Sequence, residues 1–102
     1  MEHVEEVRQL WAHCRALPFP DGLRGADFGG VDLVLVDSSV AGCVEGWLER
    51  DGQLDAKSWD ALGRCLDNLD RMIPLLPRQD AIDYFNTYRT CAQLIWDAPS
   101  PT

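Results

Sequence analysis

The sequence predicts an all-α fold, a four-helix bundle, and three observations carry that expectation. Four segments repeat apolar residues at three- and four-residue steps, the period of a helix with one buried face. Pro and Gly gather chiefly between those segments, where they punctuate structure. Each of four cysteines, Cys14, Cys43, Cys65 and Cys91, falls singly on the apolar stripe of a different segment. Helices are therefore expected at about 2–17, 32–50, 55–76 and 77–97, with a long irregular loop at 18–30. A chain of 102 residues suits one domain with a single core. Residues 1–98 are read as that domain and 99–102 as a disordered tail.

The first helix is drawn by Val4, Val7, Leu10, Trp11, Cys14 and Leu17. Glu2, Glu5 and Glu6 stand at its positive end, Arg15 stands in its last turn, and Pro18 stops it. The loop 18–30 alternates Pro, Gly and charged residues with Phe19, Leu23 and Phe28, so its aromatic rings are expected to pin it to the bundle.

The segment from Val31 is the ambiguous one. Val31 to Val36 is β-branched and apolar enough for a short strand at 31–36, the minority alternative. Against it, Leu33, Val36, Val40, Cys43 and Trp47 keep a helical step, Asp32 is a good N-cap, and Gly52 is placed for a left-handed C-terminal residue. Gly42 and Gly46 inside this helix either weaken it or mark a close helix–helix approach.

The third helix has Asp55 as N-cap and Leu54 with Trp59 in hydrophobic-staple positions. Asp60–Arg64 and Asp67–Arg71 are expected as supporting pairs. Pro74 has no amide to give Asp70, so the helix must kink or fray there. Pro77 is expected to open the last helix, whose stripe is Ala81, Ile82, Phe85, Tyr88, Cys91, Ala92 and Ile95. So short a turn makes these two helices antiparallel.

Charge narrows the function classes. Seventeen acids against nine bases give a net charge of −8, and the bases are thinly spread, which excludes the basic patch a nucleic-acid binder needs. No long apolar run spans a membrane and the acidic start is unlike a signal peptide, so a cytoplasmic protein with reduced thiols is expected.

No motif carries catalytic chemistry. The cysteines form no C-x-x-C pair and read as four separate core thiols, with Cys14, near a helix end, the one most open to exposure. His13 and Cys14 are adjacent, and adjacent helical side chains point apart. Gly29-Gly30 belongs to no phosphate-binding pattern. Asp32 reads as a cap; Asp37 is left to face solvent, pair with an arginine or cap a later helix. No metal, cofactor or catalytic residue is assigned. Trp11, Trp47 and Trp59 are expected in the core, with Tyr84 and Trp96 at stripe edges and exposed.

These readings favour a non-catalytic acidic helical module that binds another protein, itself basic. Candidate contact residues are Phe19, Arg24, Asp27 and Phe28 on the loop, with Tyr84 and Trp96 as aromatic anchors. In size, charge and helical content the chain is similar to bacterial immunity proteins that neutralise basic nuclease toxins, a likeness of architecture that no motif carries. The alternative is a homo-oligomer pairing through the small-residue face of Gly42 and Gly46. A small-molecule-binding protein or enzyme, with a pocket between helices, ranks third.

Overall fold

Backbone amides at a helix start have no partner four residues back, and short acidic side chains supply one. Asp32 Oδ1 accepts from the Leu35 amide at 3.0 Å and Asp55 Oδ1 from the Ser58 amide at 2.7 Å, which fixes where two of the helices begin. The computed structural model describes residues 2–98, Glu2 by its backbone alone. It holds α1 (Glu2–Ala16), a two-stranded hairpin β1 (Asp27–Phe28) and β2 (Val31–Asp32), α2 (Leu33–Glu49), α3 (Ala56–Met72) and α4 (Gln79–Asp97). The chain is an all-α four-helix bundle. The tail expected at 99–102 lies outside the described residues.

The strand and helix alternatives at Val31 resolve into a division of the segment. Only Val31 and Asp32 are extended, pairing with Phe28 and Asp27 through a turn at Gly29 and Gly30, both at positive φ. Asp32 then ends the hairpin and caps α2. One residue thus closes a hairpin and opens a helix.

At the far end of α2 both Asp51 (φ 52°) and the expected Gly52 (φ 94°) are left-handed, Asp51 being the first residue past the cap Arg50. The Asp51 amide donates to Leu48 O at 3.3 Å and the Gly52 amide to Trp47 O at 2.8 Å, a Schellman closure shifted by one residue. Gly52 is kept small by packing as well, since a Cβ there would meet Val4 at 3.3 Å and Trp47 at 3.5 Å.

Two proline effects shorten the elements around the third turn. α3 stops at Met72 and passes into a 3-10 turn, Ile73–Leu75, because Pro74 cannot continue the α ladder. Leu76 is then extended (ψ 138°), as a residue before proline is pushed to be. Pro77 therefore stands outside the last helix, which begins two residues later than expected, at Gln79, with Arg78 as its N-cap.

Inside the bundle α1 packs on α4, α2 on α3, and α4 also meets α2 and α3. The core is one cluster whose largest fully buried members include Tyr88, Phe85, Leu33, Leu62, Leu69, Met72 and Ile95. Each such side chain contributes about 1.5–3 kcal/mol of transfer free energy. No buried side-chain polar atom among the described residues lacks a partner.

Side-chain expectations fare less evenly. Trp11 and Trp47 are buried, whereas Trp59 is only half-buried, stacked on Trp96 at 4.8 Å between ring centres. The close helix–helix approach belongs to Gly63, where a Cβ would lie 3.3 Å from the Trp96 ring, and not to Gly42 or Gly46, where it would meet nothing within 4 Å. Neither Asp60–Arg64 nor Asp67–Arg71 forms an ion pair among the described residues; Arg71 reaches Asn68 instead, at 3.5 Å. The bundle's cross-helix ion pair is Arg89 with Asp70, at 2.6 Å.

Candidate functional site

Pro18 ends α1 and sends the chain across the first turns of α4. The Leu17 amide closes on Cys14 O at 3.1 Å, and Phe19 then sets its ring edge-to-face against Tyr84 (5.7 Å) and Phe85 (6.2 Å). Such aromatic contacts add about 0.5–1.5 kcal/mol each beyond burial. Phe19 thereby pins the start of the long loop and separates two hollows, one on each side of its contact with Tyr84.

The first hollow is a groove between the end of α1 and the start of α4, of about 460 Å³. Its lining is apolar at Leu17, Phe19 and Pro20, which are buried or half-buried, and carries the exposed His13, Pro18, Asp21, Asp80 and Asp83 around them. It runs on into a more open hollow bordered by Leu10, Asn86, Thr87 and Thr90. Asp80 is held by Arg78 at 2.9 and 3.1 Å, which keeps its carboxyl below the ordinary carboxylate range. Asp83 accepts from the Gln79 amide nitrogen at 2.8 Å. Neither Asp83 nor Asp21 has a basic group within 4 Å among the described residues.

The second hollow is a smaller notch of about 260 Å³, where α1, the loop, α2 and α4 converge. Tyr84 Oη donates to Asp37 Oδ2 at 2.5 Å and lies 3.0 Å from Tyr88 Oη, the two rings stacked at 4.7 Å. Burial, and then the Asp37 carboxylate, push the Tyr84 hydroxyl well above the ordinary phenol range, so it stays a neutral donor. Burial likewise raises Tyr88, against the pull of the Arg15 guanidinium beside it. Arg15 lies over Trp11 at 5.6 Å and Arg24 over Phe19 at 4.8 Å.

The six residues expected to meet a partner do not form one surface. Phe19, Arg24 and Tyr84 come together at the notch, but Tyr84 is only 6% exposed, which corrects its expected place on the surface. Its hydroxyl needs a partner when buried, and Asp37 supplies it. Asp27 is exposed and Phe28 half-buried on the hairpin, whose Gly29 abuts Arg71 and Leu75. Trp96, at 38% exposure, sits twelve residues beyond Tyr84 along α4, about 18 Å away. Gly42 is exposed and Gly46 half-buried, both on the open face of α2.

Sequence reasoning missed the rim acids Asp21, Asp80 and Asp83 as a group, because they come from a loop and one helix turn. It also missed that Arg15 and Tyr88 would join Asp37. A usable signal was present: Tyr84 and Tyr88 are four apart, hence on one helix face.

The four thiols are all buried, Cys14 included, whose Sγ donates to Thr87 O at 3.7 Å. They are not separate, however. Cys91 lies beside Cys14, and Cys65 beside Cys43, so two thiol pairs bridge α1 to α4 and α2 to α3. Cys43 Sγ donates to Ser58 O at 3.8 Å. The neighbouring thiol, and then burial, push up Cys91 and Cys65, while Cys43 is lowered to about 7 by Cys65 beside it. Among the described residues no three His, Cys, Asp or Glu side chains gather as a metal site requires. No helix there is long and apolar enough to cross a membrane.

No protein-family model, curated protein or solved structure matches the chain. The likeness to immunity proteins rests on size, charge and helicity alone.

Proposed function

We propose that the protein is a non-catalytic acidic interaction module whose groove between α1 and α4 docks a segment of a basic partner protein. The observation that carries this reading is the groove's composition. An apolar floor at Leu17 and Phe19 lies beneath a rim of Asp21, Asp80 and Asp83, on a chain of net charge −8. The floor suits an apolar anchor and the rim suits Lys or Arg flanking it. The overall charge speeds encounter, while the anchor sets the lifetime of the complex.

The test compares wild type with the double variant Asp21→Asn/Asp83→Asn as bait in the native lysate. Both positions are exposed and outside the core, so the variant folds. A basic protein should be recovered at near-equal amount by wild type, released in moderate salt and absent from the variant. Equal recovery by both baits overturns the groove as docking site.

The second reading, a homo-oligomer pairing through Gly42 and Gly46, draws on the open space around both residues. Oligomeric mass that rises with protein concentration would favour it over the first.

A further inference from the structure

The notch beside the groove has a different chemistry from the acidic rim. Four arginines are in ion pairs among the described residues: Arg8 with Glu5, Arg50 with Asp55, Arg78 with Asp80 and Arg89 with Asp70. Arg15 and Arg24 are in none of them, and both border the same notch. Arg64 and Arg71 are in none of them either, but Arg64 borders a different hollow and Arg71 lies against Gly29, whereas Arg15 and Arg24 share one notch.

Both are also held. Each guanidinium lies over an aromatic ring, Arg15 over Trp11 and Arg24 over Phe19, which restrains its plane, and Arg15 also lies beside the Tyr88 hydroxyl. The site is assembled from three helices and the loop, so it exists only in the folded bundle. Asp37 lines the same notch, with one carboxylate oxygen engaged by Tyr84 and the other without a hydrogen bond among the described residues. Ser38, Tyr84 and Tyr88 add hydroxyls. At about 260 Å³ the notch falls below the roughly 300–1,000 Å³ of clefts that take drug-sized ligands, so its occupant is small.

We propose that this notch binds a small zwitterion, a free α-amino acid, with its carboxylate on Arg15 and Arg24 and its ammonium group on Asp37. A guanidinium fork matches a carboxylate in shape and hydrogen-bond number. A dianion such as phosphate would meet repulsion from Asp37, whereas a zwitterion satisfies both signs of charge. This site shares the Phe19–Tyr84 wall with the acidic groove but does not depend on the groove's function.

The test uses three probes of nearly equal size: L-alanine, propionate, which lacks the ammonium group, and ethylamine, which lacks the carboxylate. Backbone amide shifts of the isotope-labelled protein are followed during titration at constant ionic strength. L-alanine should give saturable shifts at Arg15, Arg24, Asp37 and Tyr88. Propionate should bind about tenfold more weakly, as expected for loss of one charge-assisted contact, and ethylamine should give none. Arg24→Gln, at an exposed loop position, should abolish the saturable response while leaving the helical circular dichroism unchanged. Asp37→Asn should erase the preference for L-alanine over propionate. Saturable binding of L-alanine that survives Arg24→Gln overturns the assignment. So does equal binding of L-alanine and propionate by wild type, or the absence of any saturable shift with L-alanine. Because the groove is read by partner capture and the notch by these shifts, failure of one reading is visible apart from the other.

Discussion

Replacing the helical glycines by alanine separates backbone cost from packing cost, and in this bundle the two point in different directions at different sites. A glycine inside a helix costs about 0.8–1.0 kcal/mol relative to alanine, through backbone entropy. At Gly42 and Gly46 a Cβ meets nothing within 4 Å, so no steric term opposes that gain. Each substitution should therefore stabilise by about 1 kcal/mol, which for a domain of this size raises Tm by about 4–8 °C. At Gly63 the same gain is opposed, because the Cβ comes within 3.3 Å of two atoms of the Trp96 ring. That ring must move a few tenths of an ångström and disturb its stack on Trp59, so the net change should be near zero or unfavourable. The assay is urea denaturation followed by circular dichroism, with thermal melts at low and high protein concentration. A lower Tm for Gly42→Ala at every concentration would refute the reasoning, since it would mean that the open face is packed. A loss confined to high concentration would identify pairing of two copies through that face, the second functional reading.

Other outcomes follow from single contacts. Asp32→Ala removes the acceptor for the Leu35 amide and should cost about 0.5–2 kcal/mol in urea midpoint experiments, while Asp32→Asn should lose little of it. Phe85→Ala empties a fully buried ring site and should cost about 3–5 kcal/mol, a large part of the roughly 5–15 kcal/mol that holds such a domain. Asp55 is held below its ordinary value of 3.8 by the Ser58 amide and by Arg50, so its contribution is present above that pH and disappears as pH falls through the lower folded value. The stability gap between wild type and Asp55→Ala should accordingly be wider at pH 6 than at pH 2.5. The four thiols should react with an aromatic disulfide reagent only as fast as the bundle opens, and all at once in urea; rapid labelling of Cys14 in native buffer would contradict its burial.

Much of the helical framework was legible because the signals behind it are local. Asp55 announces α3 and Asp32 announces α2 through the reach of a carboxylate to an amide three residues on, and this holds in any context. The ends were harder to read. Pro77 satisfies the rule for a first helical residue, yet the extended Leu76 before it delays the helix to Gln79. Gly52 is left-handed as expected, but Asp51 before it is left-handed too, and Gly52 also answers to Val4, a residue of another helix. The candidate surface was the least legible. Phe19 and Arg24, both named on the loop, stack on each other, whereas Tyr84 was expected exposed because stripe position alone does not show that Asp37, on a different helix, takes its hydroxyl hydrogen.

The sequence by itself determined the class of the fold, the number of helices, which face of each is buried and the strongly negative surface. All of these depend on the order of residues along one chain segment or on their sum. Only the tertiary structure decided that Arg15, Arg24, Asp37 and Tyr84 share a notch, that Asp21 joins Asp80 and Asp83 on a groove, and that four scattered cysteines meet as two pairs. The physical reason is common to all three. Each depends on the depth at which one helix passes another, which the whole core packing sets and no local period encodes.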